Sequence, residues 1–135
     1  MPRPRQLRKI VEPPKFEGFK PYGTNQKTQP AVELLYEEYE AIKLADFDIM
    51  DHLQASKLMG VSRATFARIY ESARRKMALA LVEVREIKTG YGHARFDKSW
   101  YLCNECHARF SMPETVTEQT CPLCHSSSIA TIGEE

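Results

Sequence analysis

The chain lacks any apolar run long enough to cross a membrane. Its longest uninterrupted apolar stretch is MALALV at 77–82, whereas a membrane-spanning helix needs about 20 such residues. The basic N-terminus is not followed by the apolar stretch of a signal peptide. We therefore expect no membrane contact and a cytoplasmic location, where cysteines stay reduced and are more often metal ligands than disulfides.

Recognisable catalytic motifs are also absent. The sequence has no glycine-rich phosphate loop, no nucleophile elbow and no His-Glu-x-x-His helix. Asp46, Asp48 and Asp51 lie close together in the sequence, but we interpret them as helix-end charges and a cap. These absences predict a binding protein rather than an enzyme.

Net charge is small, but the charges are unevenly distributed. The 135 residues carry a formal charge of +1, which by itself indicates no partner. Residues 1–30 hold seven Lys and Arg against two acids, and residues 63–98 hold nine against four. Residues 31–62 and 99–135 are acidic. Two basic blocks in a nearly neutral chain favour contact with a polyanion.

The second basic block follows a sequence with the spacing of a DNA-reading helix-turn-helix. In DHLQASKLMGVSRATFARIYE, residues 51–71, we predict a first helix from about 51 to 59. Gly60 would form the turn, since glycine adopts positive φ without steric cost. The second helix would continue through SARRKMALAL and face the core with Phe66.

Polar residues at both helix starts agree with this interpretation. Asp51 and Gln54 have the spacing of a capping box. Ser62 can accept a hydrogen bond from the backbone N–H of Thr65. Ser62 therefore has two candidate roles, a helix cap and a phosphate contact, which are compatible.

The side of the second helix opposite Phe66 is small near its start and basic further along. Small residues allow close approach to a major groove, and arginine pairs bidentately with guanine. The predicted DNA contacts, including two in the N-terminal arm, are Ser62, Arg63, Ala64, Thr65, Arg68, Arg74, Arg75, Lys76, Arg3 and Arg5. The alternatives are an ordinary solvated basic face and a solvated tail.

The remaining segments complete the predicted domain plan. Residues 1–30 contain six of the eight prolines and form a basic arm without helices. Residues 34–46 predict a first helix, which gives a trihelical DNA-binding domain over 31–89. Gly90 and Gly92 mark a linker at 90–98. The predicted fold class is mainly α, with a small C-terminal β zinc ribbon over 99–135.

The C-terminal segment contains two Cys-x-x-Cys pairs. Cys103 with Cys106 and Cys121 with Cys124 are separated by fourteen residues, just under the usual fifteen to twenty, and two such pairs can complete a tetrahedral Zn²⁺ site. So short a segment buries too little apolar surface to fold unaided, and metal binding would supply the stability. We predict one zinc ion per chain, with iron in a rubredoxin-like site as the alternative.

A histidine follows each cysteine pair, so CNECH and CPLCH also match the attachment motif of c-type haem. Haem attachment requires export, for which the sequence has no signal, and we therefore favour zinc. His107 and His125 are then exposed residues or spare ligands.

The end of the long helix predicts self-association. Leu79 and Val82 fall on the side opposite Phe66. Their apolar side chains would be exposed to water there unless another surface covers them. We expect a homodimer through this end of the helix. The alternative is that the zinc ribbon folds over these residues within one chain.

Several stretches together resemble a family of small bacterial and archaeal predicted DNA-binding proteins of unknown function. They are PRPR, PPKFEGFKP, EEYEAIKLAD, MGVSRATFARI and SARRKMALALVE. The resemblance covers roughly residues 2–84. It implies a helical DNA-binding domain whose helix-turn-helix is similar to the promoter-reading fourth region of sigma factors. This sequence departs from the family at Asp51, where Ser or Thr is common, and at Val84, where Gly is common.

These patterns predict a sequence-specific DNA-binding protein that acts as a transcription regulator. One alternative is a protein-interaction module that contacts RNA polymerase or another partner. Another is a metal- or redox-responsive regulator in which the zinc ribbon controls the DNA-binding domain.

Overall fold

The structure is a computed structural model that describes residues 7–25, 27, 29–96, 98–112 and 119–132. Its helices are α1 Tyr36–Ile42, α2 His52–Met59 and α3 Arg63–Val82, with a π-helical turn, Lys43–Phe47, extending α1. Its strands are β1 Arg8–Ile10, β2 Gly18–Phe19, β3 Val32–Leu35, β4 Ile87–Gly90, β5 Ala94–Phe96, β6 Tyr101–Cys103, β7 Arg109–Phe110 and β8 Ile129–Thr131.

The fold is mixed α/β, which corrects the expectation of a mainly α chain. Within the described residues the strands form three small sheets: β1 pairs in parallel with β5, β4 lies between β2 and β3, and β6 lies between β7 and β8. The segment predicted as an arm thus supplies β1 and β2, and the segment predicted as a linker supplies β5. Strands of two to four residues are too short for a period-two pattern to reveal them, and distant partners complete their pairing.

The first helix begins later than the sequence pattern indicates. Leu34 and Leu35 were predicted to be helical but end β3, and α1 starts at Tyr36. Leu35 has an extended backbone, and its N–H donates to the Glu38 carboxylate at 2.9 Å. Glu38 therefore provides one half of a capping box, the hydrogen bond to the backbone N–H of the cap residue. Leu35 has no polar side chain to provide the other half.

The predicted α2-turn-α3 unit is confirmed in its local geometry. Gly60 ends α2 with φ 67°. The Gln54 N–H donates to Asp51 Oδ1 at 2.7 Å, and the Asp51 N–H donates back to Gln54 Oε1 at 3.3 Å. At the start of α3 the Thr65 N–H donates to Ser62 Oγ at 3.1 Å. Both caps satisfy backbone donors that a helix start leaves without partners.

Helix α3 joins two cores. Its first half packs Phe66 and Ile69 against α1 and α2, with Leu44 and Met59 in the same cluster. Its second half packs against the β2–β4–β3 sheet through Ala73, Ala80, Val32, Leu34 and Ile87. Among the described residues, no helix combines the length and apolar character needed to cross a membrane.

Two buried glutamates of α1 attach the N-terminal segment to the helices. The Glu37 carboxylate accepts a hydrogen bond from the His93 N–H at 2.8 Å and lies 3.8 Å from Arg8 Nε. The Glu40 carboxylate accepts from the Val11 N–H at 2.8 Å. These contacts place β1 and β5 beside the helices, where they adjoin the α2-turn-α3 unit.

Candidate nucleic-acid interface and metal centre

The first turn and a half of α3 presents an exposed surface of small and basic side chains. Arg63, Ala64 and Arg68 are exposed. Arg68 Nη2 donates to Thr65 Oγ1 at 3.3 Å, and Ser62 Oγ donates to the same oxygen at 2.9 Å. This chain of hydrogen bonds directs the Arg68 guanidinium toward the N-terminus of α3.

The next two arginines along α3 are exposed but paired with acids. Arg75 Nη2 lies 2.9 Å from Glu71 Oε1, one helical turn away. Arg74 Nε lies 3.9 Å from Asp46 Oδ2, and its guanidinium lies over the Tyr70 ring, 5.3 Å from the centroid. Exposed pairs of this kind contribute little to stability and exchange partners readily, so both arginines keep access to an anion.

Lys76 has a different environment from the arginines predicted with it. Its Nζ lies 2.7 Å from the buried Glu38 carboxylate, which also accepts from Ser72 Oγ at 2.6 Å and from the Leu35 N–H. Lys76 therefore joins α3 to the start of α1. Sequence reasoning missed this role, because the pattern EEYE does not reveal which glutamate is buried.

The two arginines of the predicted arm, Arg3 and Arg5, lie outside the described residues. The described part of the N-terminal segment begins at Leu7, and β1 begins at Arg8.

The four cysteines come together at the β6–β7–β8 sheet. Their Sγ atoms all lie within 4.8 Å of one another. Cys103 and Cys124 are separated by 3.5 Å between sulfurs, as are Cys106 and Cys121. A tetrahedral zinc ion with Zn–S bonds of about 2.3 Å places its ligands roughly 3.8 Å apart. The arrangement is thus consistent with one zinc site.

Two similar turns position these sulfurs. The N–H of His107 donates to the Cys103 carbonyl at 3.0 Å, and the N–H of His125 donates to the Cys121 carbonyl at 2.8 Å. The two histidines have φ of 64° and 63° and are exposed. Convergence of all four sulfurs favours a single metal ion over haem, which would use each cysteine pair separately.

Backbone amides support one thiolate in each turn. The Cys106 N–H, 3.4 Å from Cys103 Sγ, lowers the pKa of the Cys103 thiol to about 7. The Cys124 N–H lowers the pKa of Cys121 in the same way. Although the Ser126 N–H acts to lower the pKa of Cys124, the neighbouring thiol of Cys103 helps to raise it to about 12. A divalent cation would relieve the repulsion among four thiolates and complete their deprotonation.

The packing around the cysteines is thin. Cys103, Cys121 and Phe110 form the buried cluster, and the rings of Tyr101 and Phe110 stack at 5.7 Å. A core of this size does not stabilise a module without a disulfide or a metal. The geometry of the sulfurs and the small core are therefore both consistent with one metal site.

Comparison with known proteins identifies the larger part of the chain. Residues 1–97 match the family model described as Protein of unknown function DUF134. The chain belongs to this family. It is 39% identical to a DUF134-type relative, the UPF0251 protein of Chloroherpeton thalassium, over 96% of this chain and 85% of the relative.

Two further UPF0251 proteins extend the DUF134 family across bacteria and archaea. That of Methanothermobacter thermautotrophicus is 37% identical over 100% of this chain and 70% of its own length. That of Syntrophobacter fumaroxidans is 38% identical over 98% of this chain and 87% of its own length. The family resemblance stated from the sequence motifs is confirmed to this extent.

The cysteine region of this DUF134 chain has a separate similarity. Residues 93–129 match a model described as IFT121, second zinc finger domain, and both cysteine pairs lie inside that range. No solved structure matches the chain.

Proposed function

We propose that this protein is a sequence-specific DNA-binding protein that regulates transcription, and that a zinc ion stabilises its C-terminal module. The observation that carries the proposal is the α2-turn-α3 unit with an exposed basic and small-residue face on α3. The first residues of a recognition helix must be small enough to approach base edges, and Ala64 meets that requirement.

In this proposal, Arg68 reads a base and its neighbours position the helix. Its guanidinium is directed toward the start of α3 by Thr65, which is the part of a recognition helix that contacts bases. Arg63 is exposed in the first turn, while Arg74 and Arg75 lie further along, where phosphates of the flanking backbone are expected. Ser62 serves first as the cap of α3.

A second candidate function is docking to a protein such as RNA polymerase. It is favoured by three exposed apolar side chains that precede or begin α2. Phe47, Ile49 and Leu53 have relative exposures of 79%, 84% and 50%. An apolar group of this kind more often marks a protein contact than a nucleic-acid contact.

Selection of binding sites from random duplex DNA tests the main proposal. The purified protein should enrich a defined sequence, and Arg68→Ala should weaken binding to it by about 1–3 kcal/mol while relaxing preference at one base. Arg75→Ala is the matched control on the same helix, and it should weaken all sequences alike. A protein that enriches no sequence, or Arg68→Ala with unchanged affinity and preference, would contradict the proposal.

A further inference from the structure

The two-stranded β1–β5 ribbon places two cations side by side on its outer face. In its parallel register Lys9 is the partner of Arg95. The neighbouring residues Ile10 and Ala94 are buried, with exposures of 0% and 1%. Because side chains alternate along a strand, Lys9 and Arg95 face away from the core. Of the two, Arg95 is exposed, so its guanidinium is accessible to an anionic partner.

The ribbon lies directly beside the turn between α2 and α3. Strand β1 contacts α2. Arg95 Nη2 lies 4.0 Å from the position that a Cβ on Gly60 would occupy. The Arg95 guanidinium therefore adjoins the turn that leads into the recognition helix, although the two segments are 35 residues apart in the sequence.

Other exposed cations occur on the elements that flank this turn. Lys57 lies in the last turn of α2 and Arg63 in the first turn of α3. Within the part of the chain that the structure describes, neither they nor Arg95 forms an ion pair. Exposed cations contribute a positive potential that attracts a polyanion. Arg95 adds its charge at the turn that joins the two helices carrying Lys57 and Arg63.

We propose that the β1–β5 ribbon is a second DNA contact, in which Arg95 binds a backbone phosphate next to the groove that receives α3. The inference rests on the proposed function and extends it to a surface outside the helices. A phosphate contact of this kind sets the position of the recognition helix on the duplex but carries no base information. Duplex DNA fits better than a short acidic peptide, because Arg95 adjoins the turn that leads into α3, the helix that carries Arg68.

The test is the salt dependence of duplex binding by the full chain. Affinities of the parent and of Arg95→Gln are measured by fluorescence anisotropy at several salt concentrations, with the selected duplex and a random duplex. Arg95→Gln should bind both duplexes more weakly by the same factor. The slope of log K against log salt should become shallower by about 0.9, the value for one lost phosphate contact. Base preference should not change.

Two controls make the result specific. Lys20→Gln removes an exposed cation that directly follows β2, a strand of the β2–β4–β3 sheet. This variant should leave affinity and slope at the parent values. Arg95→Lys keeps the charge and should restore most of the slope. Thermal unfolding of each variant checks that the fold is intact.

The outcomes separate the two proposals. If the parent binds duplex DNA and Arg95→Gln has the same affinity and slope, the ribbon contact is overturned and the proposed function stands. If Arg95→Gln changes the base preference while the slope is constant, Arg95 reads bases and the phosphate assignment is overturned. If the parent binds no duplex, the proposed function fails and the ribbon contact fails with it.

Discussion

At the scale of single residues, neighbouring cations on α3 have different environments and therefore different roles. Lys76 contacts a buried carboxylate, and its side chain is 31% exposed while that of Glu38 is 4% exposed. The next residue toward the N-terminus, Arg75, pairs with Glu71, and the side chains of this pair are 80% and 63% exposed. Water screens the second pair but not the first. Loss of Lys76 would leave Glu38 buried with only neutral donors.

Lys76→Met should therefore lower the free energy of unfolding by about 1–3 kcal/mol, the cost of leaving a buried charged acceptor short of a partner. Arg75→Met should have little effect, since exposed pairs contribute little. Urea unfolding followed by circular dichroism measures both. Adding Glu38→Gln to Lys76→Met should recover part of the loss, because no buried charge then lacks its partner. Equal effects of the two single changes would show that the pair contributes no special stability.

At the scale of secondary-structure elements, α1 is short but connects several parts of the fold. Within two turns it buries three glutamates. Glu37 reaches β1 and the residues before β5, Glu38 reaches α3, and Glu40 reaches the segment after β1. Most of the stability of a seven-residue helix must come from such tertiary contacts, because isolated helices of that length are unstable in water.

Glu40 should make the stability depend on pH. Burial raises the pKa of the Glu40 carboxyl above its ordinary value, even though the Val11 N–H acts to lower it. The folded state therefore disfavours the ionised form, and the stability that Glu40 contributes is lost as pH rises through the raised pKa. Relative to the parent, Glu40→Gln should become progressively more stable as pH rises above the usual carboxyl range of about 4.

Chemical unfolding of both proteins at a series of pH values measures this difference. Glu33→Gln, at an exposed position on β3, serves as the control for a general effect of removing a negative charge. A stability difference between Glu40→Gln and the parent that stays constant across the series would contradict the expected titration.

The cysteine module is the second element-scale unit for which a clear outcome is expected. Elemental analysis should find one zinc per chain, bound by Cys103, Cys106, Cys121 and Cys124. Cys121→Ser should unfold the β6–β7–β8 sheet and spare the helices, because the cysteine cluster and the two helical clusters share no buried residue. Circular dichroism with backbone NMR would show both effects.

Two other results would revise the metal assignment. A Soret absorption band would indicate haem, and iron in place of zinc would indicate a rubredoxin-like site. Chelation of the metal should have the same structural consequence as Cys121→Ser. Loss of the metal without loss of the sheet would show that the metal is not structural.

At the scale of the whole molecule, the end of α3 presents a group of exposed apolar side chains that a partner could cover. Leu79, Leu81 and Val82 have relative exposures of 39%, 75% and 80%. Covering a side chain of this size contributes about 1.5–3 kcal/mol when it becomes fully buried. A second copy would also allow two α3 helices to read half-sites one helical turn apart.

We therefore expect a homodimer, and Leu79→Glu combined with Val82→Glu should convert it to a monomer. Light scattering at tens of micromolar measures the mass of both proteins. A parent protein that is monomeric at this concentration would contradict the dimer. A dimer that persists in the double variant would place the interface on another surface.

Local chemistry was readable from the sequence alone. The Asp51 and Ser62 caps, the left-handed turn at Gly60 and the two cysteine pairs each depend on a few consecutive residues. Their stabilising contacts therefore follow from residue type and spacing. The motifs also indicated the family that residues 1–97 match.

Only the tertiary structure decided how distant segments meet. Leu34 and Leu35 belong to a strand because β4 lies beside them, and a helix-like pattern could not reveal that partner. Lys76 contacts Glu38, which is 38 residues away in the sequence. Arg95 adjoins Gly60, which is 35 residues away. Such contacts depend on the path of the whole backbone, because their energy comes from pairing and burial between elements and not from the propensity of either segment.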